Sequence, residues 1–246
     1  MKFEHIENSP SLPEDNELPL NIQESGRHAE GAESTVWKTL VQDQKEQDKL
    51  IALKQIRREQ FASDEEMQKS KSFYDFLKSF PEFGKFVPDT LYFKARVSPN
   101  DKPQAFALQK FRGGKSIDQI KDSELYKDPV IVQQLLEFAN AAAKILQKTR
   151  EEKMQKPDFG TAFSSSIYAI IAGNQFAYPR YSTNIVISEK PNETGQRVFF
   201  VDTGANLDER TNKTTEKLRR EVGGRLQGIQ LKRWAKKLER ILTSEK

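Results

Sequence analysis

Residues 182–204 have the sequence STNIVISEKPNETGQRVFFVDTG, which is the pattern of a β-hairpin with polar residues at its two outer ends. Two short runs rich in β-branched and aromatic residues, 185–187 and 197–201, flank a turn segment that contains Pro, Asn and Gly. Asn184 directly precedes the first run, and Asp202 directly follows the second. Because the outer ends of hairpin strands meet, we predict that Asn184 and Asp202 lie side by side.

This pair of side chains is a candidate metal site. An amide oxygen and a carboxylate at neighbouring strand ends can share one hard cation with all-oxygen ligands, which suits Mg²⁺. The alternative is turn chemistry, because Asn and Asp both favour turns and caps. From these residues alone, both interpretations stand.

Upstream of the hairpin, the sequence predicts strands and one helix in the order β, β, α, β, β. Apolar runs at 35–41 and 50–56 form the first strand pair, and runs at 90–97 and 104–111 form the second. Between the pairs, Ser63-Asp64-Glu65-Glu66 is typical of a helix N-terminus, and the helix is expected to end near Pro81.

Helices are expected to predominate beyond Gly113-Gly114. A short helix is predicted over 116–126. Asp128-Pro129 then supplies an N-cap and a proline at the first helical position, and a wide apolar stripe from Ile131 to Leu146 predicts a long, buried helix.

Composition excludes several classes of chemistry. The chain of 246 residues has no cysteine and two histidines, which excludes disulfides, zinc–thiolate sites and thiol nucleophiles and disfavours histidine-rich metal sites and Ser–His–Asp triads. No long apolar run is present, so we expect a soluble, cytoplasmic protein without membrane contacts.

The net charge of +4 is unevenly distributed. Residues 1–24 carry six acids against Lys2 alone, and the three prolines among them predict a flexible acidic arm over 1–20. Residues 210–246 carry 12 lysines and arginines against four acids. Two helices are predicted there, near 214–227 and 229–243, with breaks at Gly223-Gly224 and Gly228. Such runs are solvated faces, a phosphate-facing surface for nucleic acid, or a contact between the two ends.

One aromatic residue in this basic tail has a structural interpretation. Leu231, Trp234, Leu238 and Ile241 repeat at helical spacing, which predicts that Trp234 anchors the helix in the core. The alternative is that Trp234 stacks on a base of a bound nucleic acid.

Taken in order, these motifs resemble the protein-kinase-like superfamily, in the style of atypical and small-molecule kinases and pseudokinases. The resemblance runs from about residue 25 to 210. It rests on a loop of small residues at Gly31-Ala32, a lysine inside the apolar strand 51–56, the acid-led helix, a glycine-containing connector at 109–113, the long helix and the Asn184/Asp202 hairpin.

The resemblance implies an α+β fold with a bilobal arrangement. A β-rich N-terminal lobe with one helix would span 21–112, and a reduced, mainly helical C-terminal lobe would span 113–246. It also implies Mg·ATP as the ligand, with Lys54 on the α- and β-phosphates, Glu66 as its partner, and Asn184 and Asp202 on the metal. The residues implied for the nucleotide site are Gly31, Ala32, Ser34, Val36, Lys54, Glu66, Gln109 and Phe111.

Two of these residues have simpler interpretations when they are taken alone. The loop with Gly31 as its single glycine is also typical of a plain tight turn. Lys54 could point to water from one face of its strand.

The catalytic loop departs from the family. An aspartate is expected five residues before the metal-binding asparagine, and this position is Pro179. Asp158 is the nearest upstream acid and the candidate catalytic base. Three hypotheses follow: an atypical phosphotransferase acting on an unknown acceptor, a pseudokinase that works as a binding or scaffold module, and a nucleic-acid-binding protein that uses the basic C-terminal helices.

Overall fold

The computed structural model describes residues 16–17, 27–30, 34–42, 48–56, 64–96, 104–110, 114–152, 157, 159, 182–202 and 224–244. Side chains are described at 67–92, 106–109, 114–152, 157, 159, 182–202 and 225–244. These ranges contain both helices and strands, which confirms the α+β class.

The strands are β1 (Asn16–Glu17), β2 (Arg27–Glu30), β3 (Ser34–Gln42), β4 (Asp48–Ile56), β5 (Thr90–Arg96), β6 (Gln104–Lys110), β7 (Lys115–Ser116), β8 (Ile185–Ile187) and β9 (Val198–Phe200). The α-helices are α1 (Asp64–Ser79), α2 (Asp122–Leu125), α3 (Pro129–Glu151) and α4 (Gly224–Ser244). Short 3₁₀ helices occupy Gly84–Phe86 and Ile117–Gln119. No helix in the described ranges has both the length and the apolar character of a membrane span.

The chain forms two compact units. The first combines Met1–Ser72 with Pro88–Arg112, and the second combines Phe73–Val87 with Gly113–Lys246. The segment Phe73–Val87 therefore belongs to the second unit, although residues 88–112 that follow it belong to the first.

The first unit contains a six-stranded sheet in the order β1-β5-β6-β4-β3-β2. Its neighbours are antiparallel, except that β1 pairs parallel with β5. The succession β3, β4, α1, β5, β6 confirms the predicted order β, β, α, β, β. Strands β1 and β2 were not predicted, and β1 lies in the stretch expected to be a loose arm. Its pairing of Asn16 with Ala95 is a tertiary contact that local composition does not reveal.

The second unit is built around α3. Asp128 Oδ1 accepts hydrogen bonds from the backbone N–H groups of Val130 (3.0 Å) and Ile131 (3.3 Å), which caps the helix as predicted. Helix α4 packs on α3, with Leu231, Trp234 and Leu238 buried. This burial confirms Trp234 as a core anchor and excludes it as a base-stacking platform.

The core of the second unit is rich in phenylalanine. Phe83 has its ring centroid 5.5 Å from that of Phe138 and 5.8 Å from those of Phe159 and Phe200. Phe86 joins the cluster at 5.3 Å from Phe138. These side chains are fully buried, and such aromatic packing contributes stability beyond the area that it buries.

Two helix predictions in the second unit were wrong. Residues 116–126 form β7, a 3₁₀ turn and the short α2 in place of one helix, because Lys115 and Ser116 pair with β8 and hold the chain extended. Helix α4 continues through Gly228, where a break was expected. A glycine inside a helix costs about 1 kcal/mol, which the burial of Leu231, Trp234 and Leu238 outweighs.

Candidate functional site

The hairpin of β8 and β9 brings the two predicted metal ligands together. The strands are antiparallel with Ile185 opposite Phe200, and Val201 N–H donates to the Asn184 carbonyl at 2.9 Å. Asn184 Nδ2 lies 3.4 Å from Asp202 Oδ2. The juxtaposition predicted from the hairpin pattern is therefore present.

Residues of the preceding turn hold Asn184 in place. The buried hydroxyl of Ser182 accepts a hydrogen bond from Asn184 N–H at 3.1 Å. The side chains of Asn184 and Asp202 are half-buried, so a small ion or ligand can reach them. A serine two residues before a turn asparagine is a recognisable turn motif, so Ser182 could have been assigned this role from sequence.

The loop end of the hairpin is attached to α3 by one carboxamide. Gln134 Nε2 donates to the Gly195 carbonyl at 2.8 Å. Its Oε1 accepts from Arg197 N–H (2.8 Å), Val198 N–H (3.2 Å) and Gln196 Nε2 (3.1 Å). The sequence gives no signal for this role, because Gln134 is one polar residue among several on a predicted helix.

An ion pair adds a second attachment at the same end. The Arg197 guanidinium donates to Asp128 Oδ2 at 2.8 Å and to the Ser188 carbonyl at 3.0 Å. Asp128 therefore caps α3 and anchors the hairpin with its two carboxylate oxygens.

The inner face of the hairpin rests on the aromatic core. Phe200, two residues before Asp202, has its ring centroid 5.1 Å from that of Phe159. Pro157 and Phe159 are both buried. Asp158, the candidate base that lies between them in sequence, is outside the described residues, and its role stays a prediction.

The first unit holds the residues predicted to contact the nucleotide. Val36 on β3 lies opposite Lys54 on β4, and Lys54 lies opposite Ala107 on β6. Lys54 is thus in an interior strand, in one row of cross-strand partners with Val36 and Ala107. Ser34 begins β3 opposite Ile56, and Glu66 lies in the first turn of α1. The described residues do not include Gly31, Ala32 and Phe111.

Gln109 has a structural role in the sheet. Its side chain is buried and Nε2 donates to Thr90 Oγ1 at 2.9 Å, while Thr90 Oγ1 donates to the Pro88 carbonyl at 3.0 Å. It lies opposite Ala52 on one side and Thr90 on the other. The side chain of Gln109 therefore supports the sheet, and the nucleotide-binding role that the resemblance implies for Gln109 stays a prediction.

The donor set around Asn184 and Asp202 is small. Within the described ranges, no three Asp, Glu, His or Cys side chains gather into a metal-binding group. Among the described side chains, this pair offers a cation one carboxylate and one amide oxygen. Mg²⁺ is commonly held by one or two protein carboxylates and keeps several waters.

Comparison with known proteins gives a partial structural similarity. Neither a protein-family model nor a curated protein sequence matches the chain. Among solved structures, it is similar to a crystal structure of Rad53 1–466 in complex with AMP-PNP, with a TM-score of 0.42 and 15% sequence identity. The match covers 85% of this chain and 44% of that chain, so the present chain spans less than half of that protein's length.

Proposed function

We propose that this chain is a kinase-like protein that binds Mg·ATP, with Asn184 and Asp202 as the protein ligands of the metal. The observation that carries the proposal is the 3.4 Å approach of the two side chains at paired strand ends. Asn184 donates to Asp202 through its amide nitrogen, and a turn about its terminal torsion would present Oδ1 instead. The pair would then offer two hard oxygen ligands to one cation.

Further support comes from the order of elements. The strand lysine, the acid-led helix, two strands, the long helix and the hairpin occur in the order on which the kinase-like resemblance rests. Lys54 would contribute its charge to the α- and β-phosphates, and the residues around Gly31 would cover them. Both roles serve to position and neutralise a polyphosphate, which is most of what phosphoryl transfer requires from a protein.

Pro179 favours a second candidate, a pseudokinase that binds nucleotide or a partner without turnover. The residue five positions before Asn184 carries no carboxylate, so the usual base is missing there. Asp158 is the alternative base if phosphate is transferred.

The test is thermal unfolding of the full chain with ATP, with Mg²⁺, with both and with neither. A ligand that binds only the folded state adds about 2.7 kcal/mol of stability at a hundredfold excess over its dissociation constant. We expect a metal-dependent rise in the midpoint for the parent protein and its loss in Asp202→Asn. The control is Asp75→Asn, the same chemical change at an exposed acid on α1.

Equal metal-dependent shifts in Asp202→Asn and the parent protein would disprove the metal assignment. Lys54→Ala should lose the shift given by ATP itself. Comparing phosphate release from ATP in the parent protein and in Asp158→Asn then separates the two candidates. Turnover that Asp158→Asn abolishes supports the phosphotransferase, and nucleotide binding without turnover supports the pseudokinase.

A further inference from the structure

The outward side of α4 carries a row of cations. Arg225, Lys232, Arg233, Lys236 and Arg240 are all exposed. At 3.6 residues per turn they fall within roughly a third of the helix circumference, and they extend along about 22 Å of its axis. These five residues are called the basic stripe below.

The basic stripe has no counterion among the described residues. Within the part of the chain that the structure describes, none of its five side chains forms an ion pair. The lysines on and beside α3 differ, because Lys144 pairs with Glu82 at 2.6 Å and Lys148 with Glu152 at 2.7 Å. Glu239, at the border of the stripe, is the single acid on α4.

Lys237 does not belong to the basic stripe, although it neighbours Lys236 in sequence. Its Nζ lies 3.1 Å from Asp122 Oδ2 and 4.7 Å from the centre of the Tyr126 ring. Burial lowers the pKa of Lys237, but the hydrogen bond to Asp122 and the charge of that carboxylate outweigh it and raise the pKa overall. Lys237 thus links α4 to α2 through an ion pair. The five side chains of the basic stripe are exposed to solvent.

The composition of the stripe distinguishes between classes of acidic partner. Protein–protein interfaces are enriched in aromatic residues and depleted of lysine. The basic stripe is cationic, and Ile229 is the single exposed large apolar residue of α4, so its composition does not favour a protein partner. Single-stranded nucleic acids are bound on exposed aromatic platforms, and Trp234, the aromatic residue of α4, is buried. The amides of α4, Gln227 and Gln230, are also buried and cannot read base edges.

We infer that the basic stripe binds the phosphate backbone of duplex nucleic acid. A rigid duplex presents closely spaced phosphates over the length of the stripe. Lysine and arginine side chains on one side of α4 can contact several of these phosphates. This binding is independent of the proposed nucleotide site, and neither Asn184 nor Asp202 takes part in it.

The experiment is fluorescence anisotropy of a labelled duplex of about 20 base pairs, titrated with the full chain at several salt concentrations. A plot of log K against log[salt] should have a negative slope, and five phosphate contacts limit its magnitude to about 4.5. The double variant Lys232→Glu/Lys236→Glu should weaken binding by about tenfold or more and reduce the magnitude of the slope by about 2. Lys144→Glu/Lys148→Glu is the matched control, because it makes the same charge change on α3 and should alter affinity by less than about twofold.

Several results would overturn the inference. Absence of duplex binding by the parent protein at low salt, or equal loss in both double variants, would exclude the basic stripe as a duplex site. Tighter binding of a single strand, or equal binding of poly-glutamate, would assign the stripe to another partner class. A preference of more than about tenfold between GC-rich and AT-rich duplexes would show base reading.

Circular dichroism of each variant checks that it is folded. If Lys232→Glu/Lys236→Glu unfolds, Arg225→Gln/Arg240→Gln replaces it.

Discussion

At the scale of single residues, Gly114 shows how the backbone of the hairpin sheet restricts the sequence. Its φ is +114°, a backbone conformation that residues other than glycine rarely adopt. An added Cβ would also overlap the carbonyl oxygen of Ile187 on β8. We expect Gly114→Ala to lower the free energy of unfolding by about 3 kcal/mol, since strain and overlap act together. Urea unfolding measures this loss.

Gly195 is the matched control for Gly114. Its φ is +79°, but an added Cβ would meet no atom within 4 Å. Gly195→Ala should therefore cost only the strain of the left-handed conformation, about 1 kcal/mol. Similar costs for both variants would show that the approach to Ile187 is not what restricts Gly114.

At the scale of secondary-structure elements, the attachment of the hairpin to α3 makes a second prediction. Gln134→Leu removes the acceptor of Arg197 N–H and of the buried Val198 N–H. Unpaired donors of this kind cost about 1–3 kcal/mol each, so we expect a loss of about 3 kcal/mol in urea unfolding. The neighbour Gln133 is exposed and bonds only Glu137 among the contacts described, so Gln133→Leu should stay within about 0.5 kcal/mol of the parent. Equal stability of the two variants would contradict the role of Gln134.

The elements that were predictable from sequence are those whose pattern is local. Helix α3 has a cap, a leading proline and a continuous apolar stripe, and the β8–β9 hairpin has two β-rich runs around a turn. The pairing of Asn184 with Asp202 followed from that hairpin. In contrast, β1, β7 and the passage of α4 through Gly228 depend on partners distant in sequence, which no local pattern encodes. Gln134 belongs to the same group, because its four hydrogen bonds all reach residues about 60 positions away.

At the scale of the whole molecule, the two units are not contiguous in sequence. Phe73–Val87 belongs to the second unit, although β5 and β6 of the first unit follow it. This segment gives the second unit Phe83 and Phe86, whose rings contact Phe138 on α3. The second unit therefore lacks part of its core if the chain is cut after residue 112.

A fragment of residues 113–246 should accordingly fail to form a cooperatively unfolding domain. Removing Phe83 alone costs about 3–5 kcal/mol, which is a large fraction of the stability of a typical domain. We expect the fragment to lose near-ultraviolet circular dichroism, and Phe83→Ala in the full chain to be destabilised by that amount in urea. Phe76→Ala is the control, because Phe76 is only half-buried on α1 and should cost less. A fragment that unfolds cooperatively at the midpoint of the full chain would show that Phe73–Val87 adds little to the core.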